Sequence, residues 1–417
     1  MNVEKVFDEI ILGGGIAGLY AAYEISKKHP TKTILLVEKS NVLGGRVKTY
    51  RDENMLVEAG AGRFHNGNKL LIALIKELGL GKSMKNIPKS DIYYDVKTKT
   101  PIENPNTPLL KRLLENIPEN IRSMNILQYA SNVLSKEEIK VLEDSFGYYT
   151  ELVDMNAHDF LVLWREHLAS NVQYHYLEGG LGQIIEKLME KLAEKKRTIT
   201  VLKNYAVSDI SKGEDRYVVH FHNRKITYSG KHIISALPKQ VLEKMAFFTP
   251  IHRILQQSIH CGSLCRIYSI FPKDKENKVW FEKIPKFTTN NNLRIVIPIN
   301  SEKGIIMSSY TDSKFSKYWK QIYEKGGSNA LNKELVKQLK ESTGIDNIPM
   351  PKETQIFYWE CGVGYWKVGI NSTDISGKIT RPFLEENVFI CGEHFSEKNQ
   401  QWIEGALQTS KKVVDIL

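Results

Sequence analysis

Cysteine is scarce in this chain. Its four cysteines, Cys261, Cys265, Cys361 and Cys391, form no Cys-x-x-Cys pair and have no histidine pair beside them. That spacing excludes a zinc ribbon and a dense disulfide framework, and predicts buried thiols in a reducing compartment with no bound metal. No apolar run approaches the roughly 20 residues that cross a bilayer. Met1-Asn2-Val3-Glu4-Lys5 is not backed by a secretory apolar segment, because the first apolar run is a candidate strand. The far end, Val413-Val414-Asp415-Ile416-Leu417, lacks a membrane tail. The expectation is a soluble cytoplasmic protein with no membrane partner. Internal repeats and low-complexity linkers are absent too.

Charge is not concentrated in one place. A net charge of +10 would suit nucleic acid, but the lysines are scattered along the chain. The cluster Lys195-Lys196-Arg197 falls at a helix end, where solvated cations are ordinary. No nucleic-acid partner is expected. Hydrophobic residues at 41% and charged residues at 25% describe a globular protein. At 417 residues the chain exceeds one ordinary core, so two domains are the prior.

Glycine, by contrast, is placed to a pattern. Gly13-Gly14-Gly15-Ile16-Ala17-Gly18 follows the apolar run Phe7 to Leu12 and opens a helical stretch from Leu19. Twenty residues past Gly18, a second apolar run, Thr33 to Val37, ends in Glu38. Strand, glycine turn, helix, strand and acid make a dinucleotide-binding fingerprint. Gly13 serves the tight turn, Gly15 the approach of a pyrophosphate, and Gly18 the packing of helix on strand. The helix start offers N–H groups to phosphates, and Glu38 accepts ribose hydroxyls.

A second glycine loop, Leu43-Gly44-Gly45-Arg46, comes next, followed by Val57-Glu58-Ala59-Gly60-Ala61-Gly62-Arg63. A nicotinamide enzyme would continue from its acid into the next helix, whereas this chain brings in a fixed positive charge. Near the other end, Cys391-Gly392-Glu393-His394 precedes Gln401-Trp402-Ile403-Glu404-Gly405-Ala406. Together these segments resemble the flavin-containing amine oxidases, the group of monoamine, polyamine and L-amino-acid oxidases. The resemblance covers both ends and the middle of the chain, and is weakest over residues 86–175.

The resemblance implies an α/β fold: a Rossmann-like FAD-binding domain with a mixed α+β substrate domain inserted twice, of the glutathione-reductase-like flavoprotein kind. It divides the chain into 1–85, 176–250 and 361–417 for the cofactor, and 86–175 and 251–360 for the substrate. Amphipathic helix Ile184 to Ala193, strands near Ile199 and Val207, and sheet-rich stretches after 251 fit that division. FAD is implied, with Gly13, Gly15, Ile16, Ala17, Gly18, Glu38, Lys39, Gly45, Arg46, Gly62 and Arg63 around it. Val207 would pass under the adenine. Gly392, Glu393, Trp402, Ile403 and Ala406 complete the set, the closing helix aiming its positive end at the flavin. Gly405 would allow close approach.

The same resemblance implies the chemistry: oxidation of a C–N bond in an amine or L-amino acid to an imine, with O2 as acceptor giving hydrogen peroxide. Trp402 stands where the family keeps one aromatic wall of a substrate cage. Trp366 is the expected second wall and Tyr365 the next candidate, while Trp359 reads as packing between domains. Some members attach the flavin through a cysteine just before the cage aromatic; that position falls on Tyr365 or Gly364, and Cys361 lies too early, so non-covalent FAD follows. Arg266 occupies the place of the family's usual lysine, keeping the charge but not the capacity to act as a base. Arg63 matches the arginine that clamps a carboxylate in L-amino-acid oxidases; pairing with Glu58 or with a flavin phosphate is the competing role. Desaturases, protoporphyrinogen oxidase, flavin-dependent mutases and non-catalytic interaction modules share part of the pattern. A homodimer is compatible with all of these readings.

Overall fold

The computed structural model describes residues 6–118 and 120–417. The reading of Met1 to Lys5 lies outside the described residues. Val6–Leu12 and Ile34–Glu38 are buried almost throughout, as strands covered on both faces must be. They lie at the heart of a seven-stranded sheet whose order is Ile199–Lys203, Ile34–Glu38, Val6–Leu12, Tyr228–Ser235, Tyr217–Phe221, Val207–Lys212. The seventh strand, Val388–Ile390, pairs in parallel with Tyr228–Ser235. Leu12 stands level with Val37 on one side and Ser235 on the other, so the central strands end together. Helix Ile16–Lys28 covers one face, packed with Gly182–Ala193 and Ile403–Ile416 around a core that includes Leu19, Ile184 and Leu407.

A second seven-stranded sheet runs Glu353–Trp366, Ile259–Ile270, Ile305–Asp312, Ile295–Asn300, Phe287–Thr289, Ile92–Tyr94, Pro101–Glu103. Its backing helix, Ser313–Thr343, has non-helical dihedrals at Gly327, with φ of 61°, so it is two helical segments joined across a kink. Trp319 and Leu335 from its two halves pack on Cys265 and Ile267 of the sheet. Short helices between Asn106 and His167 form a separate core with Leu110, Phe146 and Phe160. Tyr365, from strand Glu353–Trp366, is buried in that core; the strand runs past residue 360, where the sequence reading had placed a boundary.

The cysteine reading needs correction. Cys261 and Cys361 form a disulfide, with Cα atoms 5.1 Å apart, while Cys265 and Cys391 are buried thiols. Strands Ile259–Ile270 and Glu353–Trp366 pair antiparallel, and their register shifts between Gly262 and Leu264. That irregularity brings Cys361 across to Cys261. A separation of 100 residues hid the pair from any spacing rule. The cytoplasmic expectation loses its cysteine support, since disulfides persist where the surroundings are oxidising. Among the described residues no helix is long and apolar enough to cross a membrane.

Candidate active site

The site begins at the carboxyl ends of the parallel strands. Gly13 N–H donates to the Val37 carbonyl at 2.8 Å, turning the chain between the first two strands. A Cβ at Gly18 would sit 2.0 Å from the Gly13 carbonyl oxygen, so helix Ile16–Lys28 can start here only with glycine at that position. Gly15 is different: a Cβ there would meet nothing nearer than the Gly44 carbonyl at 4.0 Å. The protein itself leaves that space clear, beside a helix N-terminus, as a pyrophosphate requires. Glu38 closes the second strand, its carboxylate accepting from Gly14 N–H and Ser40 N–H, each at 2.9 Å.

From this edge a continuous cavity of about 860 Å³ extends between the two sheets. Gly13, Gly15, Ile16, Ala17, Glu38, Lys39 and Val207 line its first end, and Gly45, Arg46, Gly62, Arg63 and Arg266 its middle. Gly392, Glu393, Trp402, Ile403, Ala406 and Tyr365 line it as well. Gly18 works underneath, in packing. Trp366 is not brought to the cavity: its indole is buried in the hydrophobic core and donates to the Ser396 carbonyl at 2.9 Å. Period-two alternation explains this, because neighbouring residues of one strand face opposite ways. Trp359, read as packing, lines the cavity and donates to the Ala59 carbonyl at 2.7 Å.

Glu393 is a hub. It takes an ion pair from Arg46 at 2.6 Å and hydrogen bonds from the N–H groups of Gly364 at 2.8 Å and Gln401 at 2.6 Å. Burial alone would raise its pKa, but Arg46, His394 and the two backbone donors outweigh it and hold it below the ordinary value. Arg46 also donates to the Gly362 carbonyl at 2.9 Å. His394 lies 3.0 Å from the guanidinium and is pushed down to about 4 by burial, so it is neutral at neutral pH. Cys261, Cys361 and His394 form a group of metal-ligand type, with ligand atoms within 4.8 Å of one another. Sulfurs joined in a disulfide offer no thiolate to a metal.

Gly405 stands in close contact, but with protein: a Cβ there would sit 2.0 Å from the Asn399 carbonyl oxygen. Glu404, one residue earlier, accepts from Leu70 and Leu71 N–H at 3.0 and 2.9 Å and so caps helix Lys69–Glu77. Trp402 is the N-cap residue of the closing helix. Its ring meets those of His65 at 5.2 Å and His167 at 5.3 Å, with Tyr174 at 6.5 Å. Burial lowers both histidines, His65 to about 4 and His167 to about 3, so this wall is neutral and aromatic.

Arg63 projects against that wall. Its guanidinium lies 4.9 Å from the Tyr174 centroid and 6.0 Å from that of Trp402, and donates to the Tyr148 hydroxyl at 2.9 Å. Among the described residues no carboxylate reaches it within 4.0 Å. Glu58, the internal partner considered from sequence, instead accepts from Thr49 Oγ1 at 2.9 Å and Leu181 N–H at 2.6 Å. Arg266 donates to the Glu58 carbonyl at 3.0 Å and lies over the Tyr310 ring, 4.6 Å from its centroid. Sequence reasoning missed Tyr148, Glu151, Trp164, His167, Tyr174 and Tyr310, all of which line the cavity. Five of them come from residues 148–174, where aromatic and histidine residues inside a helical stretch were the available signal.

A glycine turn at the carboxyl ends of parallel strands in a mixed sheet, an acid on the next strand and a long cavity running to an aromatic chamber define an FAD-dependent oxidoreductase. The chain belongs to the flavin-containing amine oxidoreductase family, whose profile matches residues 16–417. It is 24% identical to aplysianin-A of Aplysia kurodai over 99% of this chain and 90% of that protein. An L-amino-acid oxidase of Mus musculus is 23% identical over 72% of this chain and 53% of its own length. A solved putrescine oxidase variant superposes with a TM-score of 0.80 at 14% identity, each chain covered to 98%.

Proposed function

We propose that this protein oxidises the C–N bond of an L-amino acid, with FAD held non-covalently and O2 as the final acceptor. FAD, when bound, supplies the acceptor for a hydride from the carbon that carries the nitrogen. The observation that carries the amino-acid reading is Arg63: a guanidinium in the cavity, flanked by aromatic faces, with only a tyrosine hydroxyl as hydrogen-bond partner among the described residues. A substrate carboxylate supplies the bidentate partner that such a group lacks. The L-amino-acid oxidases among the relatives are in keeping with this reading.

The chain's own residues divide the work. Trp402 and Tyr174 wall the chamber and exclude water, and Tyr148 orients Arg63. Glu393 fixes Arg46 and the start of the closing helix, whose positive end faces the cavity. Tyr365 and Trp359 replace Trp366 as the aromatic groups offered by strand Glu353–Trp366. Arg266, permanently charged and bound to a backbone carbonyl, holds position and takes no proton. In this reading the three segments of the parallel sheet hold the cofactor, and the helical insert with the second sheet holds the substrate. Peroxide formation across a panel of L-amino acids and their decarboxylated amines tests it. Turnover of amines alone would overturn the amino-acid assignment.

A further inference from the structure

Glu151 lines the same chamber as Arg63. It sits on the short helix Tyr149–Val153, is only 4% exposed, and accepts one hydrogen bond, from Trp164 Nε1 at 2.9 Å. No ammonium or guanidinium lies within 4.0 Å of its carboxylate among the described residues. The neighbouring Asp312 carboxylate, which accepts from Tyr149 and Thr150 N–H at 2.9 and 2.8 Å, has the same sign. Burial and Asp312 raise Glu151 to about 8 against the opposing pull of the Trp164 hydrogen bond and of Arg63. A buried carboxyl with a single neutral donor avoids the cost of its charge by holding a proton, and ionises once a cation is placed beside it.

We propose that Glu151 reads a second positive charge on the substrate, so that the site takes amino acids with a cationic side chain. The inference rests on the amino-acid reading above: the α-carboxylate meets Arg63, and the side-chain ammonium or guanidinium meets Glu151. The α-amine is not the group Glu151 serves, because it must be uncharged when its carbon gives up hydride and then forms no ion pair with a carboxylate. Arg63 thus offers a positive charge to one end of the ligand, and Glu151, largely protonated in the empty chamber, becomes the negative partner at the other end when a bound cation displaces its proton.

The test compares L-lysine and L-arginine with their neutral counterparts L-norleucine and L-citrulline, in wild type and Glu151→Gln. Gln keeps an acceptor for Trp164 and the same volume, so the variant is expected to fold, which melting by circular dichroism checks. Wild type should favour the cationic member by roughly 100-fold in kcat/KM, and the variant should lose that preference. A binding readout stands apart from oxidation: 6-aminohexanoate should quench tryptophan fluorescence at far lower concentration than hexanoate, and only when Glu151 is present. Equal turnover of lysine and norleucine by wild type, or a preference that survives in the variant, would overturn the proposal. So would an equal loss on both substrates with a displaced pH profile, which would make Glu151 a base for the α-amine. If no amino acid is oxidised at all, the proposed function fails, while the fluorescence comparison still judges Glu151.

Discussion

Arg46 and Glu393 meet at 2.6 Å across 347 residues of sequence. Around this contact the second glycine loop, the irregular strand at Gly362 to Gly364 and the loop before Trp402 are drawn to one point. The two motifs therefore hold each other as well as lining the cavity. An arginine bound in this way is fixed before any ligand arrives.

Acid should loosen this junction. Glu393 has its pKa lowered in the folded state, so its stabilisation is fully present above the ordinary glutamate value of 4.5 and is lost as pH falls through the lower folded value. The gap in Tm between wild type and Glu393→Gln should be wide at neutral pH and close below that range. A gap independent of pH would mean that Glu393 acts through shape alone.

The two tryptophans once paired as a cage should behave differently. Trp402→Ala is expected to slow reduction of bound FAD by the best substrate and leave the melting temperature nearly unchanged. Trp366→Ala opens a hole in the core and should cost about 3–5 kcal/mol of stability. Chemical denaturation and stopped-flow reduction separate the two effects, and a stable Trp366→Ala protein that reduces slowly would restore the original pairing.

Arg63→Ala should reverse a preference. Wild type is expected to react faster with an amino acid than with its decarboxylated amine. A carboxylate left unpaired in the chamber costs roughly 3–5 kcal/mol, several hundredfold in affinity. The variant should therefore favour the amine. Loss of FAD with no change in substrate order would assign Arg63 to the cofactor instead.

Thiol titration of the unfolded protein without reductant should find two reactive groups, Cys265 and Cys391, and four once reductant is added. Acid precipitation should release FAD into the supernatant, since the Cys361 sulfur is already bonded to Cys261. Four thiols from the start, or flavin that stays with the pellet, would revise the state of Cys361.

The glycine-lined end of the cavity was legible because each of its residues answers to the backbone. Gly18 must admit the Gly13 carbonyl, and Glu38 must end a strand, so their spacing is rigid and visible in the chain. The aromatic end obeys no such rule. Tyr148, His167 and Tyr174 converge on Trp402 through the packing of short helices whose directions no local pattern specifies. Trp366 was misplaced by one residue of strand alternation, and Cys361 by an irregularity that only strand pairing creates. Glu404 belonged to a recognisable motif, yet its task, capping helix Lys69–Glu77, emerges only in three dimensions.

The strand order also has a temporal side. Val388–Ile390 is the last strand in chain order of the first seven-stranded sheet, and Glu393, Trp402 and the helix from Ile403 follow it. During synthesis the glycine turn and Glu38 emerge hundreds of residues earlier, and face open solvent until these late pieces leave the ribosome. A nascent chain halted before residue 388 has Arg46 without its carboxylate and no aromatic lid over the chamber. Cofactor capture therefore waits on these late pieces, and a chain truncated before residue 388 should retain far less FAD after gel filtration than the chain that includes them.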